Sequence, residues 1–244
     1  MRTWPADSVA ALGAGALLLC VLAGTAGLGL LGGLAGLGCL LACNALLAHG
    51  LARAGRSGLR PADRITLLRA TLVAGVAALV ASSFRGPVSV ATLVLLAGCA
   101  LALDALDGYL ARRSHGCTEL GARFDMEVDA FLILVLSGYV SHQFGGWVLA
   151  IGAARYGYLV AGWLLPWLAE PVPPRRWSKV VAAIQGVVLT TAAAGLLPRL
   201  VTGVALVAAL ALLAESFGHQ AWQLARRRRM AAPPRSLVGS AVHG

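Results

Sequence analysis

"DALDGYLARRSHGCTELGARFDMEVD", residues 104–129, holds Asp104, Asp107, Glu119, Asp125, Glu127 and Asp129, six of the ten acidic residues in a 244-residue chain that is 59% hydrophobic. On either side the sequence stays apolar for stretches of about 20 residues, the length that crosses a ~30 Å hydrocarbon layer as an α-helix. A mean hydropathy of +0.79 and a charged content of 12% agree. Together they exclude a water-soluble core and predict an all-α, polytopic integral membrane bundle.

Working outward, spans are expected at 8–25, 29–52, 64–83, 88–111, 119–142, 146–168, 179–197 and 200–224. The glycine breaks in "GTAGLGLLGGLAGLG" leave the first two open to a different division, so the total is seven or eight. The polar stretch "RAGRSGLRPAD", residues 53–63, separates an N-terminal helix pair (1–55) from a six-helix part (56–225), and a basic tail expected to be disordered follows (226–244). The short loops within the six-helix part make sequential helices antiparallel neighbours in one bundle. The leading apolar stretch lacks the basic start and small-residue cleavage site of a secretory signal and is expected to be mature structure.

The net charge of +10 has to be located before it is interpreted. With the N-terminus in the cytoplasm, Arg53, Arg56, Arg60, Arg64, Arg112, Arg113, Arg123, Arg175, Arg176, Lys179 and the run Arg226 to Arg229 fall at cytoplasmic ends, and only Arg85 and Arg199 fall outside. The basic surplus is therefore topology and contact with anionic headgroups, in a membrane expected to be a bacterial plasma membrane. No motif supports a nucleic-acid role. Cys20, Cys39, Cys43, Cys99 and Cys117 show no metal-ligand spacing, so neither disulfides nor zinc are expected.

Asp104 and Asp107 are three apart near the end of the fourth span, and Gly108, Ala111 and Arg112 continue that stripe; Gly121, Asp125 and Asp129 are four apart at the start of the fifth. Four carboxylates are thus expected to converge below the cytoplasmic surface. Each Asp at the bilayer centre costs about 2.5–3.5 kcal/mol on insertion scales, and four together repel, so cations must compensate them. Carboxylates without His or Cys suit hard divalent ions such as Mg²⁺ or Mn²⁺, and four can hold two ions, an arrangement suited to phosphoryl chemistry. Gly108 and Ala111 leave room for a bulky ligand, Gly121 serves either ligand binding or close helix packing, and Arg112 is placed to meet a phosphate.

The pattern Asp104-xx-Asp107-Gly108-xx-Ala111-Arg112-(x)8-Gly121-xxx-Asp125-xxx-Asp129 resembles, in every identity and spacing, the signature of the CDP-alcohol phosphotransferase family of membrane enzymes. The resemblance implies a six-helix core that moves a substituted phosphoryl group from a CDP-linked donor to an alcohol and releases CMP, a step of phospholipid biosynthesis. It further implies that Asp104, Asp107 and Asp125 are metal ligands and that Asp129 is both a metal neighbour and the general base. Asp104, Gly108, Ala111, Arg112 and Gly121 would line the donor pocket. The segments "ITLLRA" (65–70) and "SKVVAAIQ" (178–185) are similar to family segments on the first and fifth core helices. The expected donor is CDP-diacylglycerol, the acceptor a small polar alcohol and the assembly a homodimer. The N-terminal pair, Glu127 and the Arg155-Tyr156 pair depart from familiar members.

Arg155, within the sixth span, must meet a carboxylate, a phosphate or water; Glu215 is either its partner or snorkels to the cytoplasmic surface. Arg175, Arg176 and Lys179 stand at the cytoplasmic mouth to receive either an anionic acceptor or lipid headgroups. His115 and His142 are expected to be ordinary surface histidines, and Trp147, Trp163, Trp167, Trp177 and Trp222 interfacial anchors. Intramembrane acids also mark ion pathways, but a cation transporter would spread them along a route. A catalytically inactive scaffold would be expected to have lost a carboxylate, and none is missing.

Overall fold

The computed structural model describes residues 6–53, 61–113, 119–169 and 176–231. Among them run eight α-helices: α1 (Ala6–Thr25), α2 (Leu30–Arg53), α3 (Pro61–Ser83), α4 (Val90–Arg113), α5 (Glu119–Phe144), α6 (Leu149–Leu164), α7 (Arg176–Ala194) and α8 (Arg199–Ala231). The expected spans each map onto one helix. By length and composition, the apolar parts of α2, α3, α7 and α8 suffice to cross a membrane, and α1 and α4 carry shorter apolar segments. In α5 the acids of the first half interrupt the apolar run. The chain is a polytopic helical membrane protein.

Local chemistry explains the helix limits. Pro61 opens α3, where its missing N–H leaves no intrahelical bond unmade, and Asp63 in the first turn complements the helix dipole. α8 continues through the arginine run as far as Ala231, so helix covers the first residues of the basic tail, and 232–244 lie outside the described residues.

α3 is the axis of the bundle. Val73, Ala74, Val76, Ala78 and Leu79 are at most 1% exposed, which covers every side of the helix. Such burial needs close neighbours all round, and small side chains permit them. α2 lies along α3 through the stripe Gly32, Gly36, Leu40, Asn44, Leu47 and Leu51. At Gly32 the approach is so close that a Cβ would lie 2.0 Å from Ser82 Oγ and 2.3 Å from the Ala78 carbonyl oxygen, so only glycine fits. The Gly29 N–H donates to the same Ser82 hydroxyl at 3.0 Å. α6 meets α5 in the same way, since a Cβ at Gly152 would lie 2.5 Å from Leu134 Cα.

The expectation that sequential helices are neighbours holds only in part. α4 and α5 make little direct contact among the described residues; α3 packs on both, and so does α7. α6 and α7 are likewise separated, with α8 touching each. A short loop limits the distance between helix ends and leaves the helices free to diverge beyond it. α3 and α7 stand between α4 and α5, and the aspartates of these two helices reach toward one another across that separation.

Four interhelical connections gather at one end. There the Ser89 N–H donates to Ala26 O at 3.1 Å, Arg199 Nη2 donates to Gln143 O at 3.0 Å, and the rings of Phe84 and His142 meet edge to face at 4.3 Å. Arg53, Arg64, Arg123, Lys179 and Arg226 belong to the opposite end, toward which the acidic faces of α4 and α5 lie. Outward-facing Leu200, Val204 and Val207 of α8 are exposed, as a lipid-facing surface requires.

Candidate active site

Three helices supply the site. Asp104 stands on α4, about two and a half turns before that helix ends, and Asp125 and Asp129 stand one turn apart on α5. One carboxylate oxygen from each of the three lies within 4.8 Å of the others. The side chains are partly open, at 36%, 30% and 29% exposure, so the cluster faces the space between α4 and α5 rather than a sealed core.

Into this cluster reaches Arg69 from α3. Its Nη1 lies 2.6 Å from Asp104 Oδ1, and its Nη2 lies 2.6 Å from Asp125 Oδ1 and 3.0 Å from Asp129 Oδ1. Nη2 also donates to the Asp125 backbone carbonyl at 3.1 Å. The guanidinium is 1% exposed, and Asp63 and Thr66, six and three residues before it, are buried too. α3 therefore turns a polar face toward α4 and α5 in its first two turns and a dry one above. A planar fork with five N–H donors is the side chain that can serve two helices at once.

Arg69 was not among the candidate site residues from sequence, although a signal existed. A lone arginine inside "ITLLRATLVAG" cannot stay unpaired in a span, and the carboxylates two helices away were the available partners.

The aspartates come together as expected for Asp104, Asp125 and Asp129. Asp107, Ala111 and Arg112 occupy the last turns of α4, but their side chains lie outside the described residues, as does Arg176; Arg175 and His115 lie outside altogether. Gly108 and Gly121 are half-buried, one turn from Asp104 and Asp125 respectively. Lys179 of α7 is exposed and close enough to Asp129 for their charges to attract.

Arg155 meets a carboxylate, as expected, but on a different residue from the candidate. Its Nη2 pairs with Glu127 Oε1 across the α5–α6 contact. Glu215, the candidate partner, instead accepts a hydrogen bond from Trp177 Nε1 at 2.9 Å, joining α7 to α8. Glu127 thus points away from the aspartate face of its own helix, as a residue two positions from both Asp125 and Asp129 must. Gln185, in the segment similar to the family's fifth core helix, is fully buried and donates to the Ala209 carbonyl at 2.7 Å, which ties α7 to α8.

Residues 60–214, more than half of the chain, match the model of the CDP-alcohol phosphatidyltransferase family. The chain belongs to that family. Comparison with curated proteins and with solved structures gives no match. Membership makes this CDP-alcohol phosphatidyltransferase a transferase that uses a CDP-alcohol donor and an alcohol acceptor. The matched region begins just before α3 and takes in Arg69, the three aspartates and Lys179, while α1 and α2 precede it.

The donor set of this phosphatidyltransferase fits a hard divalent cation. Three carboxylate oxygens, with no sulfur or imidazole among them, lie close enough to share one ion, and they are open on one side.

Proposed function

We propose that the protein transfers a phosphatidyl group from CDP-diacylglycerol to a small polar alcohol and releases CMP, using a two-ion site that faces the cytoplasm. The convergence of Asp104, Asp125 and Asp129 from two separate helices, within a membrane bundle of this family, carries the reading. Asp104, Asp107, Asp125 and Asp129 would hold Mg²⁺ or Mn²⁺, and such ions, when bound, neutralise diphosphate oxygens and the charge on departing CMP.

The chain's own groups do the rest. Asp129 lies deepest along α5 of its two aspartates and takes the proton from the acceptor hydroxyl. The acceptor oxygen then bonds to the lipid-side phosphorus, and the bond from that phosphorus to the CMP oxygen breaks. Gly108, Ala111, Arg112 and Gly121 flank the donor's cytidine and diphosphate, with small residues making room and the guanidinium meeting phosphate oxygens. Lys179, Arg175 and Arg176 at the mouth, with Arg155 behind them, attract an anionic acceptor. The gap between α4 and α5 admits the headgroup while the acyl chains stay in the bilayer. On this reading residues 56–225 form the catalytic unit and the helix pair in 1–55 braces it.

The test is to incubate purified protein in lipid nanodiscs with CDP-diacylglycerol, Mg²⁺ or Mn²⁺ and a panel of alcohols, and to follow CMP. Release that depends on both the alcohol and the metal is expected. Release unaffected by EDTA would remove the ions from the account. No CMP with any alcohol, while the protein carries cations across a bilayer or merely scaffolds other enzymes, would overturn the transferase reading.

A further inference from the structure

The aspartates already have a cation, and it belongs to the chain. Arg69 spends both terminal nitrogens on Asp104, Asp125 and Asp129, at 2.6, 2.6 and 3.0 Å. These are oxygens of the same three carboxylates that lie within 4.8 Å of one another and would hold a metal ion. A carboxylate oxygen 2.6 Å from a guanidinium nitrogen cannot also present an unobstructed lone pair to a divalent ion on that side. The charges compete as well, since a resident positive charge a few ångströms from an incoming one opposes it.

We propose that Arg69 is an internal counter-cation that competes with the divalent ions for Asp104, Asp125 and Asp129, so that loading the site requires it to release at least part of this grip. The inference rests on the proposed two-ion reading and adds a control on how tightly the ions bind.

Several observations support competition over simple scaffolding. Arg69 and the attraction of Lys179 for Asp129 set two positive charges against three carboxylates, and this net negative charge favours a divalent ion. The arginine is anchored at its base, deep in α3 and 1% exposed, but its Nε has no acceptor among the described residues. The side chain is therefore held only through its two tips and one backbone carbonyl of α5. Those tip contacts are the ones an ion would contest. The carboxylates themselves are about one-third exposed, so an ion can arrive from the open side of the gap while Arg69 sits behind. Without the arginine, the ion-free cluster would hold three like charges and lose the cation that touches all three. The residue thus keeps the empty site folded at the expense of ion affinity.

The two roles predict opposite signs. A scaffold that orients the aspartates strengthens ion binding, so its removal weakens it; a competitor weakens ion binding, so its removal tightens it. The experiment measures Mn²⁺ binding to the full chain in nanodiscs, without nucleotide, by EPR of free Mn²⁺, for the wild type, Arg69→Gln and Arg69→Lys. The expected result is Mn²⁺ affinity tighter by about tenfold or more in Arg69→Gln, the direction set by removing a charge beside the ion. Arg69→Lys, which keeps the charge but lacks the fork, falls between the two. The melting temperature of metal-free Arg69→Gln drops below that of the wild type and recovers more on adding Mn²⁺. Unchanged or weaker Mn²⁺ binding in Arg69→Gln overturns the competition. Should Arg69→Gln fail to fold, Arg69→Lys decides by the same sign. Absence of Mn²⁺ binding in the wild type and both variants overturns the two-ion reading itself, an outcome distinct from ion binding with the wrong sign.

Discussion

The two ends of α3 are built on opposite principles. From Val73 to Ser82 the helix is dry, lined with alanine and valine, and α2 lies so close that Gly32 has no room for a Cβ. From Asp63 to Arg69 the same helix turns buried polar side chains toward α4 and α5, which stand apart from each other. In a lipid environment the first arrangement stabilises through close packing, because no water-driven collapse is available between helices. The second costs stability unless each charge meets an opposite one, and Arg69 supplies that partner. The lesson is a division of labour within one helix: the small-residue half holds the bundle so that the polar half can keep a charged gap open.

The contrast can be broken from either side. The largest effect is expected at the polar end: Asp129→Asn, which keeps size and removes the proposed proton acceptor, should lower kcat for CMP release by about 10²–10⁴ while the protein remains folded. Near-normal turnover would remove Asp129 as the base. At the dry end, Gly32→Leu forces side-chain atoms into Ser82 and the Ala78 carbonyl. Overpacking of this kind costs about 1–3 kcal/mol, read as a lower melting temperature in nanodiscs. A melting curve equal to the wild type would mean that α2 is not seated on α3 as described.

Smaller effects test whether the polar network extends beyond the aspartates. Glu127→Gln leaves Arg155 without its carboxylate, but the pair is half-exposed. Loss of stability of about 1 kcal/mol or less is expected, with a fall in KM for an anionic acceptor, as the freed guanidinium attracts it, and little change in kcat. A fall in kcat alone would place Glu127 in the chemistry instead. Smallest of all, Trp177→Phe removes the exposed indole donor to Glu215 and should shift the melting temperature by only a degree or two, on the scale of about 0.5 kcal/mol for one exposed hydrogen bond.

Most of the helix positions were legible because a membrane span advertises itself through length and hydropathy, and the turn signals "SSFRGPV" and "SHQFGG" mark their limits. The aspartates were legible for the converse reason, since acids at helical spacing inside apolar spans need an explanation and share a face by periodicity. What periodicity cannot express is which helices meet. It misplaced α4 and α5 as packed neighbours, offered Glu215 to Arg155 in place of Glu127, and, although Arg69 had to be paired, did not say which helices' carboxylates would pair with it. Each of these depends on tertiary placement, where a side chain 35 residues away in sequence, as Asp104 is from Arg69, becomes the nearest partner.

The most direct measurement is the anomalous signal of Mn²⁺ in crystals of the full chain. The account predicts density between α4 and α5, within about 2 Å of carboxylate oxygens of Asp104, Asp125 and Asp129. Manganese bound elsewhere, or no peak at that place at saturating Mn²⁺, would contradict it.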